Sequence, residues 1–244
     1  MNVKSLFIIT LFSFGALGLQ AQDALTIVEK LDANLAKIKD KSVDIEMTMS
    51  NLKTGKSKVK KAELLQKGET KKLFRYTFPE SDAGIATLTL PNDEIYLYLP
   101  MFKKPKKITN MAESNAFNKS DFSLDDMASS DFAEKYSAGL MTYEGDAFKV
   151  MLTPKDAKSP YSKLVMYINK SQYTAEKIEY YVKTEMQKFA LYNYRKVSDV
   201  WVADEVSMED VKKQHKTTLK MTNIKINQGL DDSLFALESL APTK

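Results

Sequence analysis

Residues 42–49, SVDIEMTM, put Val43, Ile45, Met47 and Met49 on one side of an extended chain and Asp44, Glu46 and Thr48 on the other. Successive side chains of a strand point to opposite faces, so this period of two specifies a strand buried on one face only. The pattern recurs along the chain. A turn at KTGK leads into SKVKKAELLQK, then KKLFRYTFPE, GIATLTL and EIYLYLP; further on come GLMTY, AFKVMLT, KLVMYIN, EKIEYYV, KFALYNYRKV, DVWVADEVSMEDV and HKTTLKMTNIKIN. Roughly a dozen short strands at spacings of about 8–12 residues, separated by turns such as PNDE and EGDA, predict successive antiparallel strands in a sandwich or barrel, here as one large sheet.

Only two stretches carry helical periodicity. ALTIVEKLDANLAKIKD, residues 24–40, aligns Val28, Leu31, Leu35 and Ile38 on one stripe, with Asp23 as the expected N-cap; DDSLFALESL near the end is the other. Ahead of the first helix, Lys4 and the uncharged run Leu6 to Leu19 have the form of a secretory signal peptide, with cleavage expected after Ala21. Fourteen apolar residues span only about 21 Å as a helix, less than a hydrocarbon core of about 30 Å. With no cysteine anywhere, lipid attachment at the cleavage site is excluded, as are disulfides and thiolate chemistry. The expectation is a signal peptide at 1–21 and one domain at 22–244, periplasmic, unlipidated and monomeric. Removing the leader takes one lysine and no acid, so the net charge of +4 becomes +3, too slight an excess to indicate nucleic-acid binding.

Constellations for catalysis are sparse. His215 is the single histidine and reads as a solvent-exposed strand residue, so neither HExxH nor a histidine pair exists, and no metal or cofactor site is expected. TGKS at Thr54–Ser57 lacks the glycine a phosphate-binding loop needs and sits in a hairpin turn; no G-x-S-x-G occurs. Asp121, Asp125, Asp126 and Asp131 lack EF-hand spacing and read as helix N-caps and first-turn acids.

A sheet of a dozen strands has an inner face that a single helix of seventeen residues, about 25 Å long, cannot cover. Between the two runs of strands lie residues 109–138, too long for an ordinary loop and, with Phe117, Phe122, Leu124 and Met127 among them, too apolar for a solvated linker. Short helices forming a lid over the inner face are the expectation. Methionine and aromatic side chains on that face would suit variable acyl chains. The lysines of KKPKK, Lys103, Lys104, Lys106 and Lys107, read as a solvated loop or as a docking point for an acidic partner or lipid head groups.

The order of KLDANLAKIKD, KKLFRYTFPE, IYLYLP, the mid-chain segment, DAFKVMLTPK and SLFAL is similar to that of the periplasmic lipoprotein carrier LolA. YLYLPMFKKPKKI followed by SDFSLDD resembles more closely the LolA-like outer-membrane lipoprotein-sorting family. The resemblance implies a mainly β, half-open (unclosed) barrel made of one antiparallel sheet, with an N-terminal helix and a mid-chain helical lid. It implies a non-enzymatic carrier that binds the acyl chains of lipoproteins or other lipids and moves them toward the outer membrane, between inner-membrane donor and outer-membrane acceptor proteins. By that resemblance Phe74, Tyr76 and Leu31 point inward, which with Ile45, Met47, Met49 and Phe78 gives the expected lipid-binding cavity; Phe117, Phe122, Leu124 and Met127 give the lid. The family's arginine four residues before the first aromatic falls on Thr70 here, leaving Lys71 or Lys72 to replace it. Two other readings stand beside the carrier: a sensor of the same fold acting through protein contacts, and an envelope lipid- or glycan-processing enzyme using carboxylates.

Overall fold

A computed structural model describes residues 15–92, 94–108, 120–123, 126 and 131–241, with backbone alone for 15–22 and 140. Among the described residues thirteen strands form one antiparallel sheet. In chain order they are β1 (Asp40–Asn51), β2 (Ser57–Lys67), β3 (Lys71–Phe78), β4 (Ala86–Leu90), β5 (Glu94–Tyr98), β6 (Pro105–Ile108), β7 (Tyr136–Glu144), β8 (Ala147–Pro154), β9 (Lys163–Asn169), β10 (Ala175–Val182), β11 (Glu185–Val197), β12 (Val200–Asp210) and β13 (His215–Ile226). The spatial order is β6-β5-β4-β3-β2-β1-β13-β12-β11-β10-β9-β8-β7, so the first and last strands pair in the middle. Among the described residues the edge strands β6 and β7 form no ladder with each other, and the barrel stays open.

Helix α1 (Gly15–Leu35) runs through the expected cleavage position without a break, so Asp23 lies inside it and is not an N-cap. It also stops short of residue 40. Lys37 and Ile38 donate to the carbonyls of Asn34 and Leu35, a tightening final turn, and the chain enters β1 at Asp40. The Asp40 carboxylate is buried because it accepts the N–H groups of Gln228, Gly229 and Leu230 at 2.7, 2.9 and 3.3 Å, fixing the exit from β13.

The side chains of Ala24, Ile27, Val28 and Leu31 pack on the inner face with Val150, Leu152, Leu164, Met166 and Ile178, so α1 covers the β8–β12 half. The opposite, outer face is closed differently in each half. Over β3–β5, Leu73, Ala86, Leu88 and Tyr98 pack with Phe235 and Leu240. The DDSLFALESL stretch is two short 3-10 turns, Asp232–Phe235 and Leu237–Leu240, and not an α-helix, because Ala236 between them is extended. Over the other half, lysine ammonium groups lie on aromatic rings: Lys163 at 4.6 Å from the Tyr181 centroid, and Lys149 and Lys177 each 5.1 Å from that of Tyr167. Such pairs keep a tyrosine-rich face solvated while shielding the rings.

Two further boundaries differ from expectation. Pro105–Ile108, read as loop, is an edge strand, consistent with the tolerance of edges for proline. The mid-chain segment ends earlier than residue 138: after a one-turn helix, α2 (Phe132–Lys135), β7 begins at Tyr136.

Candidate functional site

The inner face continues beyond α1. Val43, Ile45, Met47 and Met49 from β1, Ala62 from β2, and Phe74 and Tyr76 from β3 form a second buried cluster with Val202 and Ile224. The register explains this, since Ile45 faces Ala62 and Met221, Ala62 faces Tyr76, and Leu64 faces Phe74, one contiguous apolar row across four strands. Phe74 and Tyr76 meet edge to face with ring centroids 5.0 Å apart. Among the described residues no hydrophobic side chain of α1 belongs to this cluster. Five expected cavity residues (Ile45, Met47, Met49, Phe74 and Tyr76) are thus together and buried, while Leu31 lies in the neighbouring cluster under α1.

Phe78 does not join them. Between Ala62 and Lys61 on β2 the partner on β3 advances from Tyr76 to Phe78, a bulge of one residue at Thr77. A one-residue shift turns the side chains after it to the other face. Phe78 therefore lies beside Lys61, whose partner is Glu46 on the polar side of β1, and is 48% exposed.

Polar groups converge at one edge of the inner face. Lys41, Gln66 and Lys72 face one another across β1, β2 and β3. Burial, and then the charge of Lys41, push the Lys72 ammonium down to about 8; burial also lowers Lys41. Lys71 is turned outward to Asp232, 2.8 Å away, and Thr70 is exposed in the β2–β3 turn. Of the two lysines, Lys72 is the one that shares a face with Phe74.

The mid-chain segment is fixed to the inner face by ions. Asp121 is buried and accepts from the Thr217 hydroxyl at 2.7 Å, with His215 Nδ1 also 2.7 Å from it; its own N–H donates to Thr217 Oγ1 at 3.1 Å. Asp126 is buried against the Lys188 ammonium, and also accepts from the Tyr161 hydroxyl at 2.8 Å and the Ser123 N–H at 2.6 Å. Lys188 in turn lies 5.4 Å from the ring centroids of both Tyr161 and Tyr180. Phe122, between the two aspartates, is buried in the α1 cluster with Phe132. On α1, Asp32 accepts the Ala133 N–H at 2.8 Å at the start of α2, and burial raises its carboxyl. His215 is therefore a hydrogen-bond partner of Asp121 and not a free surface residue; Asp121 is an anchor and not a cap, whereas Asp126 is both, since Ser123 Oγ accepts its N–H at 3.3 Å in a reciprocal cap while its carboxylate meets Lys188. Phe117, Leu124 and Met127 of the expected lid, with Asp125, lie outside the described residues. Among the described residues no set of three or more histidine, aspartate or glutamate side chains is placed to hold a metal ion.

A crevice of about 350 Å³ opens at the β1–β13 bulge, but Ser42, Asp44, Glu63, Asn223 and Lys225 line it beside Leu64 and Leu65, a polar wall unsuited to acyl chains.

Residues 68–241 match the model of a family described as an uncharacterized protein. A solved domain from Vibrio parahaemolyticus, described as belonging to an outer membrane lipoprotein-sorting protein, shares 26% identity, covering 90% of this chain and 99% of its own, with a TM-score of 0.78. The chain belongs to the family whose model matches residues 68–241, and its fold is LolA-like. Two more distant structures show the same fold as this LolA-like chain. A DUF1329 family protein from Desulfovibrio piger has 20% identity and a TM-score of 0.80, covering 91% of this chain and 99% of its own. A LolA superfamily protein from Nitrosomonas europaea has 21% identity and a TM-score of 0.70, covering 87% of this chain and 97% of its own. A comparison with curated proteins finds no match.

Proposed function

We propose that this LolA-like protein is a periplasmic carrier that binds the acyl chains of lipoproteins or other lipids on its inner face and carries them toward the outer membrane, without catalysing a reaction. The observation that carries this reading is the apolar row of Ile45, Met47, Met49, Phe74 and Tyr76, which α1 leaves to other elements while a neighbouring segment is held down by charged contacts at Asp121 and Asp126. A segment held by polar contacts and, among the described residues 120–123 and 126, by the single core residue Phe122 can be lifted at lower cost than one held by core packing throughout, because water replaces ion pairs better than it replaces hydrocarbon contacts. Each buried methylene of a guest contributes about 0.8 kcal/mol, so two or three chains are held firmly where one is held marginally.

The test is mass spectrometry of lipid co-purifying with the protein from a native envelope. The carrier predicts acylated guest near one molecule per protein. Met47→Trp fills the row while keeping it apolar, and should lower loading without unfolding the sheet; Phe74→Glu should abolish loading, with its fold checked by circular dichroism. Lipid-free wild-type protein, or unchanged loading in a folded Met47→Trp variant, would sink the reading.

A further inference from the structure

The strand connections segregate by charge. Six join strands at the end of the sheet where β1, β3, β5, β8, β10 and β12 finish: residues 52–56, 79–85, 99–104, 155–162, 183–184 and 211–214. Together they hold nine lysines against three acids. The five at the other end, residues 68–70, 91–93, 145–146, 170–174 and 198–199, hold one lysine against four acids. Lys212 and Lys213 are balanced by Glu185 and Asp210 on the adjoining strands, at 2.8 and 2.7 Å. Among the described residues Lys103 and Lys104 form no ion pair, and both are exposed.

The same basic end displays apolar side chains that the sheet does not need. Met101 is 80% exposed and Phe102 64%, at the apex of the β5–β6 loop, while Phe78 and Leu52 are also exposed at this end. The apex is built to hold its shape. The N–H groups of Phe102 and Lys103 both donate to the Leu99 carbonyl, and Lys103 takes a left-handed turn with φ of 53°. The loop leans on its neighbour: a Cβ placed on Gly84, itself at φ of 81°, would stand 3.1 Å from Pro100 Cγ. A second stitch, from the Leu52 N–H to the Gln214 carbonyl at 2.8 Å, ties the β1–β2 loop to the β12–β13 loop.

A rigid apolar tip ringed by unpaired lysines has one matching environment, the interface of a bilayer with anionic head groups, where side chains such as Met and Phe enter the acyl boundary and lysines stay at the phosphates. We propose that the β5–β6 end of the sheet docks on an anionic lipid surface, with Met101 and Phe102 inserted and Lys103, Lys104 and Lys106 on the head groups. This surface is separate from the inner face and does not depend on the inner face carrying lipid.

Delipidated full-length protein is mixed with vesicles of phosphatidylcholine, alone or with about one-third phosphatidylglycerol, and bound protein is separated by flotation. Each lysine near an anionic surface is worth about fivefold in partitioning, so Lys103→Glu with Lys104→Glu should weaken binding to the mixed vesicles at least about tenfold, and added salt should do the same. Met101→Asp with Phe102→Asp should weaken it comparably, with the thermal midpoint unchanged because both side chains are exposed. Equal binding to both vesicles, or to neither, would overturn the proposal and leave the basic end to an acidic protein partner. Mixed-vesicle binding kept by the Met101/Phe102 variant would overturn the insertion.

Discussion

The Asp126–Lys188 pair is the contact most open to a quantitative test. The carboxylate side chain is 1% exposed and the lysine 11%. Asp126→Asn keeps the shape of the side chain and one acceptor oxygen, for the Ser123 N–H or the Tyr161 hydroxyl, which use different carboxylate oxygens, but removes the charge that balances Lys188. The ammonium then has the Asp121 carbonyl at 3.4 Å and the rings of Tyr161 and Tyr180 for company. Breaking one side of a buried pair costs about 3–5 kcal/mol, and the two cation–π contacts, already made in the wild type, return none of it, so a loss of about 3–5 kcal/mol is expected. For a domain of this size that lowers the thermal midpoint by about 6–20 °C. Lys188→Met added to Asp126→Asn removes the stranded charge and should recover most of the loss. Urea unfolding at neutral pH measures the first quantity. Hydrogen exchange at the Asp121 and Ser123 amides, which donate to Thr217 Oγ1 and Asp126, reports whether the segment has come away. A single-variant loss below about 1 kcal/mol, with both amides as protected as in the wild type, would refute the reasoning.

Lys72→Met should stabilise the protein at pH 7. The folded-state value of about 8 lies below the ordinary lysine value of 10.5. The unfolded chain therefore holds more protons between those values, and wild-type stability rises with pH through that window. The variant's advantage, at most about 3 kcal/mol, should be full below pH 8 and fade toward pH 10.5; a pH-independent difference would count against a desolvated lysine. Asp40→Ala should cost about 2–4 kcal/mol in urea, since three N–H groups after β13 lose their acceptor, and should expose the chain after Asn227 to limited proteolysis; a neutral effect would mean that solvent satisfies those groups.

The strands of this protein are legible because a half-buried strand writes its burial into a period of two, and Val43 to Met49 and Phe74 with Tyr76 fall on the side that the alternation assigns. What defeats the alternation is a local event with no residue signature: nothing in KKLFRYTFPE marks the bulge that carries Phe78 outward. The helix end at Leu35 was hidden for a similar reason, since Ile38 keeps the helical stripe going while Asp40 is claimed by N–H groups nearly two hundred residues away. The anchors were the hardest to see. Asp121 and Asp126 look like capping residues in SDFSLDD, and Asp126 is one toward Ser123, but their long-range partners His215, Thr217 and Lys188 belong to strands far along the chain, and a single sequence carries no record of that pairing.

The meeting of β1 with β13 has a consequence for how the chain must assemble. Each arm, β1 to β6 and β7 to β13, can zip up as a run of neighbouring hairpins as it emerges, but the seam joining Asp40–Asn51 to His215–Ile226 spans nearly the whole length of the polypeptide. Loop closure over that distance comes late, so the nascent protein exists as two half-sheets with bare flanks until the final strand is delivered. A chain shortened by even its last strand would keep every other local hairpin and yet lose the join that makes them one sheet.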